Sequence, residues 1–199
     1  MTFGYQNSSH RLVDAETQEN ALRLLGELVQ RASVHPAVRT AALQIIQSAG
    51  CDSREDACEV QAIFDAVRYG DPSIPWLKTG FKYVADPRYA DYFSSPVDTI
   101  AACQKGACGG DCDDHAALIA ALLGSIGWKV GLRAYGVPGQ RGYSHVYAVV
   151  AFPKKPKHLA GPSGPKLVWD KVLGLDTTVP SAKPGWEPPK GNVLTGWLD

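Results

Sequence analysis

The sequence lacks an excess of either charge, because lysine plus arginine and aspartate plus glutamate each number 20 among 199 residues. This balance gives no indication of nucleic acid or an anionic membrane as a partner. It also lacks an apolar run long enough to span a bilayer, and its N-terminus lacks the basic start and apolar stretch of a signal peptide. We therefore expect no membrane partner and a cytoplasmic location, where cysteines stay reduced. A component of a phage particle is also compatible with this expectation.

The sequence also lacks internal repeats and the alternation of strand and helix patterns that is typical of parallel α/β proteins. Apolar residues instead recur at helical spacing in residues 15–70, whereas β-branched and aromatic residues concentrate after residue 129. This order predicts an α+β fold with an antiparallel sheet. We divide the chain into an N-terminal helical extension, residues 1–70, packed on a core of residues 71–199. The proline-rich tail from Pro180 is predicted to wrap over the core without regular structure.

Residues 109–123 form the most informative stretch. Asp111 is predicted to cap a helix, with Asp114 as its capping-box partner, and this places Cys112 at the first helical position. There the unpaired backbone N–H groups and the helix dipole favour a thiolate, the reactive form of cysteine. The glycine pair at 109 and 110 would let a substrate backbone approach. The helix that follows is apolar on all sides, which predicts burial.

The cysteines are odd in number, so at least one is free or acts as a ligand: Cys51, Cys58, Cys103, Cys108 and Cys112. The last three lie close together and are followed by His115, so a metal-binding module built on these four side chains is one alternative. The spacing C-x4-C-x3-C-x2-H is not a usual zinc pattern. Incidental thiols, or a disulfide between Cys103 and Cys108, are simpler interpretations.

Cysteine catalysis needs a histidine to take the thiol proton and a third group to orient the histidine ring. His145 opens the strongest predicted strand, directly after a glycine-containing loop. Asp176 ends another strand-like run. Together with Cys112 they match a nucleophile, a base and an orienting acid at three element ends. His115, which follows Cys112 on the same helix, is interpreted as a polar residue at the helix edge.

These segments resemble the transglutaminase-like superfamily of papain-like folds, and most of all its small bacterial and phage-type members. The resemblance covers residues 80–180 and is carried by three motifs: Gly110–Ala116, Ser144–Ala148, and Trp169 with Leu175–Thr178. It implies a cysteine-bearing helix packed on an antiparallel sheet whose neighbouring strands supply histidine and aspartate. In this sequence those residues are Cys112 as the nucleophile, His145 as the base and general acid, and Asp176 as the residue that orients His145.

The resemblance implies acyl transfer through a thioester, with a peptide or amide as substrate and without a cofactor or metal. The oxyanion would be bound by the backbone N–H of Cys112 and by a second donor, for which Gln104 and Tyr83 are the candidates. The predicted function is therefore that of a cysteine peptidase or amidase, with transfer to an amine also open. A non-enzymatic phage or interaction protein that keeps the fold, and the Cys/His zinc module, remain alternatives.

Overall fold

The computed structural model describes residues 10–12, 18–52, 55–86, 92–139, 142–160, 164 and 166–198. The helices in these ranges are α1 (Gln18–Ser33), α2 (Pro36–Ser48), α3 (Asp56–Tyr69), α4 (Pro96–Gln104) and α5 (Cys112–Ser125). The strands are β1 (His10–Leu12), β2 (Lys82–Tyr83), β3 (Tyr92–Ser94), β4 (Gly109–Gly110), β5 (Val130–Gly136), β6 (His145–Phe152), β7 (Lys157–Leu159), β8 (Lys166–Val168), β9 (Lys171–Leu175) and β10 (Asn192–Trp197).

The main sheet has four antiparallel strands in the order β10-β5-β6-β9. Three two-stranded pairs surround it: β1 with β3 and β7 with β8 are antiparallel, whereas β2 with β4 is parallel. The predicted α+β class with an antiparallel sheet is therefore confirmed.

Helix α5 lies at the centre of the molecule, and all of its residues except Cys112 and Gly124 are buried. Helices α1 to α4 pack on it from one side, and strands β5 and β6 pack on it from the other. Its alanines allow these neighbours to approach closely, while leucine and isoleucine side chains fill the space between them. This environment confirms the burial that the all-round apolar pattern predicts.

The N-terminal helices pack on the same core as the sheet. Val29 of α1, Ile45 of α2 and Ile63 of α3 belong to one buried apolar cluster with Leu118 of α5. The ends of these helices lie close to the ends of the segments in which apolar residues recur at helical spacing. Helix α3 begins at Asp56, with Glu55 at its N-cap position. From the sequence we expect this helix to start at Ser53, which lies outside the described residues.

The C-terminal tail contains a regular strand, so the prediction of a tail without regular structure is wrong. Strand β10 forms an edge of the main sheet and pairs with β5 from Asn192 opposite Gly136 to Trp197 opposite Gly131. The partner of β10 lies far away in the sequence. The local pattern of β10 is therefore weaker than that of the turn-forming residues that precede it. Pairing with β5 supplies the hydrogen bonds that fix it as a strand.

Four cysteines are paired, Cys51 with Cys58 and Cys103 with Cys108, and Cys112 is free. All five lie within the described part of the chain. None of the helices described combines the length and the apolar character that a bilayer crossing requires. The first disulfide joins the end of α2 to α3, and the second joins α4 to the segment that enters β4.

Candidate active site

The start of α5 is organised by three aspartates. Asp111 is the N-cap and accepts a hydrogen bond from the backbone N–H of Asp113 at 3.2 Å, as predicted. Asp114 is not its capping-box partner, because its Oδ1 accepts from the backbone N–H of Ser94 on β3 at 3.3 Å. The position that a Cβ on Gly110 would occupy lies 2.1 Å from Asp114 Oδ2. The space beside Gly110 is thus filled by Asp114 and is not open to a substrate backbone.

His145 and Asp176 are brought together at one end of the main sheet. The β6–β9 register ends with Ala148 opposite Leu175, and its continuation places Asp176 opposite Tyr147. His145 then lies on the diagonal of the same face, and its Nε2 is 2.6 Å from Asp176 Oδ2.

The Asp176 carboxylate is almost fully enclosed, with 1 % of the residue exposed. Its Oδ1 accepts from the backbone N–H of Thr178 at 2.9 Å, from the Thr178 hydroxyl at 2.7 Å and from the Val179 N–H at 3.3 Å. Burial alone would raise the pKa of Asp176, but the bonds from His145 and Thr178 outweigh it and lower this pKa. The carboxylate is therefore charged and fixed in orientation.

The sulfur of Cys112 lies beside the backbone of Val146 in β6, the residue that follows His145. Strand β9 stops pairing at Ala148, two residues beyond Val146, so it does not take the Val146 N–H. This N–H and the N–H of Cys112 itself are placed where they stabilise a thiolate. Because Asp176 holds Nε2 of His145, Nδ1 is the ring nitrogen that remains for proton transfer.

The resting state of Cys112 is a thiol, contrary to the expectation that the helix N-terminus favours a thiolate. Burial raises its pKa to about 12, and the negative charge of Asp111 acts in the same direction. The two backbone N–H groups lower the pKa but do not compensate. Burial and the hydrogen bond with Asp111 also raise the pKa of Asp113 far above its ordinary range, so the Asp113 carboxyl group is protonated.

Of the two candidates for the second oxyanion donor, Tyr83 lies beside the thiol. Tyr83 is paired in register with Gly110 through β2 and β4, and its side chain is 60 % exposed. Partial burial raises the pKa of Tyr83, and the Cys112 sulfur, when it is ionised, acts in the same direction. Gln104 is the exposed last residue of α4, and none of the contacts described for the chain connects it with Cys112.

The sequence interpretation missed two buried residues behind the site. His115 is 3 % exposed, and its Nδ1 lies 2.8 Å from the hydroxyl of Thr177, which is 8 % exposed. A histidine one turn after a nucleophile on the same helix face was the available signal. Trp186 packs on Tyr147 at 6.4 Å between ring centroids, and Tyr147 in turn stacks with His145 at 6.1 Å.

Two groups of possible metal ligands can now be compared. Cys103 and Cys108 are bonded to each other, so the Cys/His cluster considered from the sequence is not assembled. Asp111, Asp113 and Asp114 form the described group that could hold a cation, since one oxygen from each lies within 4.8 Å of the others. Backbone N–H groups already donate to all three carboxylates.

The chain was compared with protein families, curated proteins and solved structures, and none of the three comparisons gave a match. The chemistry of the site must therefore be argued from the chain's own residues. The residues with the most specific geometry are Cys112, His145 and Asp176, together with Tyr83.

Proposed function

We propose that this protein is a thiol-dependent acyl-transfer enzyme, a cysteine peptidase or amidase with a papain-like, transglutaminase-like core. The observation that supports the proposal most directly is the 2.6 Å bond between His145 and Asp176, at the sheet end where Cys112 lies beside the next residue, Val146. A nucleophile, a base and an orienting acid then converge from a helix start, a strand start and a strand end.

The raised pKa of Cys112 determines how the first step proceeds. Since the resting group is a thiol, His145 Nδ1 removes the proton as the sulfur attacks the carbonyl carbon of the substrate. The carbon–sulfur bond forms, and the tetrahedral intermediate then releases the amine, which takes the proton from His145. Water, deprotonated by the same histidine, attacks the carbonyl carbon of the thioester. The carbon–sulfur bond then breaks, the carboxylic acid product leaves, and the sulfur takes the proton back from His145, which restores the thiol.

The charge that develops on the carbonyl oxygen needs at least two donors. The backbone N–H of Cys112 is the first. We propose the hydroxyl of Tyr83 as the second, because β2 pairs Tyr83 with Gly110 and Tyr83 is exposed. Gln104 is the weaker candidate, since it ends α4 and has no described contact with Cys112.

The disulfides bear on where the enzyme works. Two disulfides in one chain are typical of proteins in an oxidising compartment and are rare in the cytosol. We therefore favour an oxidising setting over the cytoplasmic one expected from the sequence. The balanced charge still favours a peptide or amide substrate over nucleic acid.

The proposal is tested by labelling Cys112 with iodoacetamide at pH 7 without reductant. Because the other four cysteines are paired, labelling reports on Cys112 alone. We expect wild type to be labelled and His145→Ala to be labelled about 100-fold more slowly, the loss typical of a missing general base. Asp176→Asn should also slow labelling, because the ring of His145 loses its charged partner.

His158→Ala is the matched control, since His158 lies on the exposed strand β7 and should leave the rate unchanged. Cys112→Ser should abolish labelling. Equal labelling of wild type and His145→Ala would remove His145 as the base and overturn the proposal. A fully unreactive wild-type thiol would instead favour the non-enzymatic interaction protein.

A further inference from the structure

His115 connects parts of the molecule that the proposed mechanism needs in fixed positions. It lies one turn after Cys112 on α5 and is buried. Its ring packs edge-on against Phe81, with 4.7 Å between ring centroids, and stacks with Tyr83 at 6.4 Å. Its Nδ1 is 2.8 Å from the hydroxyl of Thr177. One side chain on the nucleophile helix thus contacts both the segment carrying the oxyanion candidate and the turn after β9.

The turn after β9 sets the orientation of Asp176. Thr178 and Val179 fix Oδ1 of this carboxylate, and His145 occupies Oδ2. These bonds hold the carboxylate within its own turn but do not tie that turn to α5. The hydroxyl of Thr177 does so, because it lies 2.8 Å from Nδ1 of His115 on α5.

The electrostatics of His115 suit such a role. Burial lowers its pKa to about 4, against the opposing effect of Asp176, so the ring is neutral at pH 7. A neutral ring bonds to a hydroxyl without placing a positive charge near Asp176, where it would compete with His145 for that carboxylate. Nε2 of His115 is buried and has no hydrogen-bond partner among the described residues. The backbone of Lys82 also acts on the ring and opposes the lowering of its pKa. The bond to Thr177 is the hydrogen bond that connects His115 with another side chain.

We propose that His115 is a positioning residue whose bond to Thr177 locks the Asp176 turn to the Cys112 helix and so holds His145 in register with the thiol. The inference rests on the proposed function. It differs from the sequence interpretation, which took His115 as a polar residue at the helix edge. His115 does not touch the reacting atoms and acts through Thr177 and Asp176.

The test uses the labelling rate of Cys112 in the full-length chain with its disulfides intact. Thr177→Val keeps the shape and removes the hydroxyl, whereas Thr177→Ser keeps the hydroxyl and serves as the conservative rescue. His115→Phe keeps an aromatic ring against Phe81 and removes both nitrogens. Thermal unfolding monitored by circular dichroism shows which variants are folded. If His115→Phe does not fold, the two Thr177 variants alone decide the result.

We expect Thr177→Val and His115→Phe each to slow labelling about tenfold, the upper range for one lost hydrogen bond. The labelling rate of Thr177→Ser should stay within about twofold of wild type. The double variant with Thr177→Val and His115→Phe should be labelled no more slowly than the slower of these two single variants. In a His145→Ala background, Thr177→Val should have no effect on the labelling rate, because the proposed role of Thr177 acts through His145. A merely structural role would slow labelling in both backgrounds.

Normal labelling of folded Thr177→Val would overturn the inference, as would an equal slowing in the His145→Ala background. These outcomes can be distinguished from a failure of the proposed function itself. In that case wild type would already be unlabelled, or would be labelled equally fast without His145.

Discussion

Gly110 offers a sharp test of how the start of α5 is packed. A Cβ at this position would lie 2.1 Å from Oδ2 and 2.6 Å from both Cβ and Cγ of Asp114. Gly110 does not have a positive φ, so Gly110→Ala probes space and not backbone strain. The collision is with the near part of a buried side chain, which must move as a whole.

The cost has two parts. Overfilling a packed site costs about 1 to 3 kcal/mol. Moving Asp114 also takes its Oδ1 away from the backbone N–H of Ser94, and the loss of this buried hydrogen bond costs about 1 to 3 kcal/mol more. The free energy of unfolding should therefore fall by about 2 to 6 kcal/mol, which lowers the Tm of a chain of this size by about 4 to 24 °C.

Denaturant and thermal unfolding of Gly110→Ala measure this loss directly. Gly106→Ala is the control, because Gly106 has φ of 89° but no atom within 4 Å of a new Cβ. It should show only the backbone cost, about 1 kcal/mol. In an Asp114→Gly background, Gly110→Ala should cost much less than in wild type. The steric explanation is refuted if Gly110→Ala costs the same in both backgrounds, or no more than Gly106→Ala.

Two further predictions concern the charges around Cys112. Burial raises the pKa of Asp114 to about 6, above its unfolded value, so the folded state holds this proton more tightly and loses stability as pH rises from about 4 to 6. Asp114→Asn keeps an acceptor for Ser94 and removes the titrating group. Its free energy of unfolding in denaturant, relative to that of wild type, should increase by up to about 3 kcal/mol between pH 4 and 8. A difference that does not change with pH would contradict this. Asp111→Asn keeps a capping side chain and removes a charge that raises the thiol pKa. In a His145→Ala background it should speed labelling at pH 9 by about tenfold, one pKa unit, and an unchanged rate would contradict the assignment.

The features that could be predicted from the sequence are those with local physical causes. The helical stripe of α2, the cap at Asp111 and the strand that starts at His145 follow from side-chain periodicity and backbone chemistry over a few residues. The buried α5 is equally local, because an all-round apolar helix has no stable position except the interior.

The features that could not be predicted depend on partners distant in sequence. Strand β10 becomes a strand because β5 supplies its hydrogen bonds. Asp114 bonds to Ser94 because α5 packs beside β3. Thr177 lies next to His115 only after the sheet has folded onto the helix. No periodicity within a single segment encodes such contacts.

The pKa of Cys112 shows why the local argument fails at the site itself. A helix start offers a sulfur two favourable influences, the unpaired N–H groups and the helix dipole. Asp111 stabilises the same helix start by about 1 kcal/mol as its cap, but its charge lies close to the sulfur and opposes a thiolate. Burial of the helix, which the apolar sequence enforces, adds the larger penalty.

The consequence is a division of roles between helix and sheet. The helix fixes the position of the thiol but keeps it protonated, so reactivity requires a base that is held at the moment of attack. His145 can be such a base only if its ring is prevented from turning, which the charged, 1 % exposed Asp176 achieves through the bond at 2.6 Å. For the proposed acyl-transfer reaction, a thiol with a raised pKa and a firmly held histidine favour proton transfer during attack, and not a preformed thiolate, as the mode of activation.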